Sequence, residues 1–186
     1  EALDAVADIR LAKPDLVVER SQLRKHLIDR AEKAGAALFW EARFEGMADR
    51  SGIPGVRINQ HGSEDWIDTD VLIGADGIES DVRKSVNLAP VPYEPLLQAE
   101  ITLPVDWSPE VTKVWFDTQT TPYFYWLIPE SEHKGVVGLI AETGSDIGKL
   151  LNDFLEKHGF QAIEYQSGKA AMHLPELITQ TEVSGM

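Results

Sequence analysis

The sequence predicts an α+β chain, in which a helix and a three-stranded meander precede a largely antiparallel sheet with one covering helix. Changes of hydrophobic period support this prediction. Apolar residues recur at helical spacing over residues 23–34 and again over 147–155, as in amphipathic helices. Elsewhere apolar and polar residues alternate, as in half-buried strands. Three prolines within six residues, beginning at Pro90, predict a domain boundary between residues 1–90 and 91–186.

The first region contains one helix and three strands. Ser21 is of a type that caps helix starts, and Gly35 suits a left-handed stop. Glycine- and proline-containing turns separate the strands. The third strand ends in Val-Leu-Ile and leads directly into a loop at Gly74 and a short helix that Ser80 caps. The predicted strands lie at about residues 38–45, 56–61 and 66–73.

The second region has longer strands with large side chains, which the alternation predicts to form one sheet. Its helix begins at Ser145 or Asp146 and ends at Gly159, which again suits a left-handed cap. The predicted strands lie at about residues 96–103, 112–117, 123–129, 135–142 and 162–174.

Composition excludes several classes of protein. The formal net charge is −14, from 31 acidic and 17 basic residues, so a nucleic-acid partner is not expected. The absence of cysteine excludes disulfides, thiolate catalysis and cysteine-bound metals. The histidines show no metal-ligand spacing, and no catalytic side chain is predicted. No apolar run approaches the roughly 20 residues that cross a bilayer, and no signal peptide opens the chain. A cytoplasmic location is expected.

Residues 71–83 give the strongest functional prediction. An apolar strand that runs into Gly-Ala-Asp-Gly places the carboxylate of Asp76 at the strand's carboxyl end. The neighbouring Gly77 lets a bound group approach the backbone closely. Asp-Gly after a strand is also a common turn, so a purely structural loop is the alternative. Arg83 is expected either to take part in the site or to pair with Asp76 or Asp81.

The string from Gly74 to Arg83 resembles the Asp-Gly motif of flavoprotein hydroxylases and their relatives, Gly-Ala-Asp-Gly-x-x-Ser-x-Val-Arg, at every specified position. The resemblance implies FAD as cofactor, with Asp76 and Gly77 close to its pyrophosphate and Arg20 near the dinucleotide. A carboxylate cannot favour phosphate directly, so Asp76 is expected to order neighbouring N–H groups or water. In the hydroxylase branch the motif is also associated with NAD(P)H. The upstream positions that match the family are Arg20, Leu23, Leu27, Ala31, Gly35 and Ala36.

The aromatic strand resembles the geranylgeranyl reductase branch of this superfamily. There a Tyr-x-Trp-x-x-Pro strand precedes a Val-Gly strand and lines the substrate cavity, and here Phe124 stands where that tyrosine would be. The resemblance implies that Phe124, Tyr125 and Trp126 bind an apolar substrate. Alternation sends Tyr125 to one face and Phe124 and Trp126 to the other. An aromatic core strand without a ligand is the alternative.

The family's Gly-x-Gly-x-x-Gly segment does not occur in this chain. With the start at Glu1 and the end at Met186, this predicts an internal piece of the flavin-domain helix and meander plus the substrate-domain sheet. The piece alone is expected to bind FAD weakly or not at all. The parent is expected to reduce double bonds of an isoprenoid or other apolar substrate, which suggests peripheral membrane contact. The alternatives are an aromatic hydroxylase and a cofactor-less module that binds apolar ligands.

Overall fold

The computed structural model of the chain describes residues 6–13 and 16–172. The chain divides into two compact units, Glu1–Leu38 and Phe39–Met186. Both sheets belong to the second unit, and the predicted boundary near residue 90 falls in the connection between them. No helix among the described residues is both long and apolar enough to cross a membrane.

The first unit contains helix α1, Arg20–Lys33. Its amino end is capped by Glu19, whose carboxylate accepts hydrogen bonds from the amides of Ser21 at 3.0 Å and Gln22 at 2.7 Å. The prediction that Ser21 is the cap is therefore wrong, because the glutamate two residues earlier reaches the free amides first. The predicted left-handed stop is confirmed, since Gly35 has a φ of 90°.

The three-stranded meander opens the second unit. Its strands pair antiparallel in the order β1-β2-β3. Both connections are two-residue turns with positive φ at each central residue, at Ser51-Gly52 and at His61-Gly62, which is the backbone of the tightest hairpins. Val56 and Ile58 of the central strand are buried. The strands are β1 Ala42–Arg50, β2 Ile53–Gln60 and β3 Ser63–Asp68.

The prediction that the third strand reaches Ile73 and runs directly into the loop is wrong. The β2–β3 ladder ends at the pair Gly55 and Asp68, followed by one bond from the amide of Thr69 to the carbonyl of Pro54 at 3.1 Å. Pro54 has no N–H to continue the ladder, and β2 begins one residue earlier. Residues 71–73 are therefore extended without a strand partner in the described part of the chain.

The second sheet has five strands in the order β5-β6-β7-β4-β8, and every neighbouring pair is antiparallel. The predicted α+β class, a helix and meander followed by an antiparallel sheet with a covering helix, is thus confirmed. Residues 173–174 of the predicted last strand lie outside the described residues. The strands are β4 Tyr93–Thr102, β5 Lys113–Trp115, β6 Tyr125–Pro129, β7 Lys134–Ile140 and β8 Ala162–Ala171.

A short helix, α2 (Asp81–Ser85), lies between the two sheets in sequence, and α3 (Ile147–His158) covers one face of the five-stranded sheet. The predicted start and stop of α3 are confirmed: Asp146 accepts a hydrogen bond from the amide of Lys149 at 2.9 Å, and Gly159 is left-handed. The main core lies between α3 and the central strands. Its members are Ala99, Ile101, Leu103, Tyr125, Leu127, Val137, Leu139, Ala141, Leu151, Phe154 and Leu155.

Candidate functional site

The Asp-Gly loop, residues 74–80, leads from the extended segment into α2. Gly77 has a φ of 83°, a conformation that glycine adopts without steric cost. A Cβ atom at Gly77 would meet no atom within 4 Å, so this side of the backbone is open. A bond from the amide of Ser80 to the carbonyl of Gly77, at 3.2 Å, closes the turn. The loop therefore offers bare backbone at the position where the family resemblance places a phosphate group.

The Asp76 carboxylate binds the start of α2. One oxygen accepts hydrogen bonds from the amides of Asp81 at 2.7 Å and Val82 at 3.1 Å. Partial burial raises the pKa of Asp76, but hydrogen bonds from Ser80 and from backbone amides outweigh it and hold that pKa below its usual value. The expectation that this carboxylate orders neighbouring N–H groups is confirmed. The Asp76 carboxylate therefore contributes to the site indirectly, because it fixes the backbone amides at the start of α2.

Arg83 follows the loop on α2, where its amide donates to the hydroxyl of Ser80 at 2.9 Å. The Ser80 cap is thus confirmed. The Arg83 guanidinium does not pair with an acid in the described region: its Nε donates to the carbonyl of Ala89 at 2.5 Å. One of its terminal nitrogens, Nη2, is buried without a hydrogen-bond partner among the described residues. An unpaired buried donor is costly, and this one is a cation one helical turn from the loop.

Asp81 shows why the expected ion pair of Arg83 is wrong. Asp81 pairs instead with Lys84 at 2.7 Å and with Arg43 of β1 at 3.7 Å. Asp76 directs its carboxylate at backbone amides. Both acids are therefore occupied by nearer donors, although they stand close to Arg83 in sequence.

Arg20 is the first residue of α1 and belongs to the first unit. It lies at the edge of a shallow apolar groove of about 390 Å³, formed with Leu23, Leu27 and Leu38 among others. The structure describes Arg20 within its own unit. Its predicted place near the dinucleotide stays a prediction.

Tyr125 lies on the face of β6 that α3 covers. Its side chain is 2% exposed, and its ring stacks on Phe154 of α3 with centroids 4.2 Å apart and planes 8° from parallel. Burial raises the pKa of the phenol, whose hydroxyl lies 3.1 Å from the Thr120 hydroxyl. Tyr125 therefore packs the core and is separated from the two aromatic residues beside it.

Phe124 and Trp126 lie on the opposite face, where Phe116 joins them. We call these three residues the aromatic row: the ring centroids of Phe116 and Phe124, and of Phe124 and Trp126, are each 6.0 Å apart. Exposure rises along the row from 8% at Trp126 to 76% at Phe116. The sequence prediction missed Phe116, although it alternates with Val114 in step with β5.

Gly138 of β7 makes room for the innermost ring of the row. A Cβ atom at Gly138 would lie 2.4 Å from the Cζ2 atom of Trp126 and 2.7 Å from Cβ of Gln98. Only glycine therefore allows the indole to lie flat across β7. The three rings therefore form a continuous row, buried at Trp126 and exposed at Phe116 near the edge of the sheet.

Residues 4–178 match the protein family described as "FAD binding domain". The chain belongs to this family. FAD, predicted from the Asp-Gly motif, is confirmed as the cofactor of the family, whereas NAD(P)H stays a prediction. The described residues fit the flavin's phosphates, because Gly77 exposes open backbone and Arg83 has a buried guanidinium nitrogen without a partner.

Two of the proteins similar to this chain are named as reductases. The digeranylgeranylglycerophospholipid reductase 2 of Methanothermobacter thermautotrophicus is 30% identical over 162 residues, which are 82% of this chain and 42% of that protein. The chloroplastic geranylgeranyl diphosphate reductase of Arabidopsis thaliana is 26% identical over 152 residues, covering 72% of this chain and 32% of that protein. The chain thus spans less than half the length of these relatives.

Solved structures show the same fold. A geranylgeranyl bacteriochlorophyll reductase-like protein from Thermoplasma acidophilum gives a TM-score of 0.72 at 23% identity, covering 82% of this chain and 42% of that one. Aklavinone-11 hydroxylase, in complex with FAD and aklavinone, gives a TM-score of 0.63 at 14% identity, covering 83% and 33%. At these identities the likeness concerns the fold, which reductases and hydroxylases share.

Proposed function

We propose that this chain is a segment of an FAD-dependent oxidoreductase that reduces double bonds of an isoprenoid or another apolar substrate. The observation that favours this activity is the aromatic row on the face of the five-stranded sheet opposite α3, in the same compact unit as the Asp-Gly loop. Such a row of aromatic rings suits contact with a long hydrocarbon. The names of the relatives point to the same substrate class.

The flavin supplies the redox chemistry when it is bound. The residues of this chain prepare its surroundings. Asp76 stays ionised near neutral pH and holds the start of α2, which fixes the backbone around Gly77. Phe116 and Phe124 provide an apolar wall for the hydrocarbon, and the buried Trp126 supports it from behind. No side chain of the described residues is assigned a proton-transfer step.

Tyr125 is left out of the proposed substrate site, because α3 covers it. Phe116 takes its place at the exposed end of the row. Substitution Phe116→Ala is expected to raise the KM for a long isoprenoid roughly three- to tenfold, the loss of about one aromatic contact, with kcat unchanged. Val105→Ala, at a fully exposed loop position, is the matched control and should leave KM unchanged. Equal effects from both variants would contradict a substrate role for the row.

An aromatic hydroxylase is the second candidate, since solved hydroxylases share the fold. The cofactor-less binding module is the weaker alternative, because the family is one that binds FAD. A cytoplasmic location stays a prediction of the sequence. The net charge of −14 supports the proposal that nucleic acid is not a partner.

The deciding experiment uses the intact protein with its flavin. Under anaerobic conditions the flavin is reduced chemically and mixed with geranylgeraniol, a polyunsaturated C20 alcohol. Reoxidation of the flavin with a product heavier by one or more pairs of hydrogen atoms supports the reductase. A product formed only with oxygen, and heavier by one oxygen atom, supports a monooxygenase instead. The 186-residue chain alone is expected to bind FAD weakly or not at all, and stoichiometric flavin in that preparation would contradict this expectation.

A further inference from the structure

One ion pair joins the Asp-Gly loop to the five-stranded sheet. The Nζ atom of Lys169, on β8, lies 2.5 Å from a carboxylate oxygen of Glu79, which is two residues after Gly77. Among the ion pairs of the described residues, this is the one that connects these two parts. A separate pair, between Arg43 and Asp81 at 3.7 Å, connects α2 to the meander. The loop is thus tied to the five-stranded sheet, and the helix that follows it is tied to the meander.

Lys169 is itself held in a fixed position. Its backbone pairs with Pro95 in the β4–β8 ladder, and its ammonium group lies 4.4 Å from the ring centroid of Tyr93. A cation over an aromatic face is attracted to it. Most exposed ion pairs contribute little, because two long side chains must be ordered for one contact. Here the Tyr93 ring already restricts the lysine, so less freedom is lost when Glu79 binds.

The position of Glu79 makes this pair relevant to the loop. The bond from the amide of Ser80 to the carbonyl of Gly77 encloses Glu79 in the same turn. A displacement of Glu79 therefore moves the Gly77 peptide and the Asp76 carboxylate that anchors it. The other end of the pair is on the sheet that bears the aromatic row.

We propose that Lys169 is a positioning residue for the flavin site. Through Glu79 it sets where the Asp76–Gly77 backbone lies relative to the five-stranded sheet, and hence relative to the aromatic row. This inference rests on the proposed function, because it takes the loop to contact FAD and the row to contact the substrate. Lys169 itself touches neither group in this scheme.

The test compares Lys169→Met with Lys149→Met in the intact protein. Both changes remove a lysine charge from a 2.5 Å pair, but Lys149 pairs with Asp153 on the exposed side of α3, away from the loop. Lys169→Met keeps an apolar stem over Tyr93. We expect it to speed amide hydrogen exchange of residues 76–82 in the flavin-free protein, and to raise the Kd for FAD, each by roughly two- to fivefold. Lys149→Met should change neither quantity.

Two further variants separate positioning from general destabilisation. Lys169→Arg keeps the charge and is expected to restore the FAD Kd. The charge swap Glu79→Lys with Lys169→Glu should restore it in part, whereas each reversal alone should not. A structural role alone would lower the Tm and leave the Kd unchanged. An exchange rate or a Kd in Lys169→Met equal to that of Lys149→Met would overturn the inference.

The exchange measurement needs no flavin, so the two proposals fail separately. An intact wild-type protein that binds no FAD overturns the proposed function, and also the flavin-positioning role of Lys169. The proposal that the Lys169–Glu79 ion pair restrains the loop is then tested by the amide exchange rates alone. FAD binding that is normal in both variants overturns the role of Lys169 and leaves the proposed function in place.

Discussion

The three-stranded meander and the five-stranded sheet each pack a tryptophan across a glycine of the neighbouring strand. In the meander Trp66 covers Gly55, and in the larger sheet Trp126 covers Gly138. The surroundings differ, because α3 buries one face of the larger sheet, whereas within the same unit the helix that packs against the meander, at β1, is the five-residue α2. The same packing of a tryptophan ring over a glycine thus occurs in both sheets. We therefore expect side chains beneath α3 to contribute more to the free energy of unfolding than side chains of the meander.

The largest expected effect is a difference between two valine truncations. Val137 is fully buried beneath α3, whereas Val56 is 7% exposed in the meander. Val137→Ala is expected to lower the free energy of unfolding by about 2 kcal/mol, from two lost methyl groups and the cavity they leave. Val56→Ala is expected to cost about 1 kcal/mol, because fewer atoms surround it. Urea denaturation of both variants provides the measurement, and equal losses would contradict the comparison.

The second prediction concerns the two glycines. Gly138→Ala and Gly55→Ala both introduce a clash with a tryptophan ring, and each is expected to cost about 1–3 kcal/mol in unfolding free energy. Gly138→Ala should also displace Trp126 from the sheet and weaken binding of an apolar ligand. Gly55→Ala should lower stability and leave ligand binding unchanged. Intrinsic tryptophan fluorescence and ligand titration of both variants distinguish these outcomes. Loss of ligand binding in Gly55→Ala would contradict the expectation that only the five-stranded sheet takes part in ligand binding.

The smallest expected effect is the pH dependence of the Asp-Gly loop. Because hydrogen bonds lower the folded pKa of Asp76, its contribution is complete above the unfolded value of about 4 and is lost as pH falls through the folded pKa. Protection of the Asp81 and Val82 amides should therefore decrease in acid. Asp76→Asn should reduce this protection roughly threefold at neutral pH and flatten its acid dependence.

Asp70→Asn is the control for the loop, since Asp70 accepts no hydrogen bond from the described residues. Amide exchange measured by NMR across the acid range gives the readout. If amide protection in Asp76→Asn still decreased in acid as it does in the wild type, another group would control the loop.

Local patterns in the sequence predicted the local structure well. Asp146 and Gly159 bracket α3 because capping and left-handed geometry depend on the residue itself. The string from Gly74 to Arg83 predicted a loop and a short helix capped by Ser80, and both are present. The cap of α1 was missed because Glu19 and Ser21 both offer an oxygen, and only the folded geometry decides between them.

Features that depend on distant residues were not predictable. Alternation placed Tyr125 and Trp126 on opposite faces, but the helix that covers Tyr125 comes from a later part of the chain. The apolar run that ends at Ile73 has the composition of a strand, but the ladder between β2 and β3 ends at Asp68, before that run begins. Lys169 and Glu79 are separated by 90 positions, and nothing in either local sequence indicates the other.

The tight turns of the meander have a consequence for the order of folding. Contacts between neighbours in sequence form within microseconds, because little chain must be closed into a loop. The meander can therefore assemble as soon as residues 42–68 are available. In contrast, β4 lies between β7 and β8, and Leu97 must pair with Leu139 on one side and with Ser167 on the other. During synthesis β4 emerges with both edges unpaired. β7 can pair with one edge, but the other stays open until β8 follows, so β4 is exposed to pairing with other chains for longest.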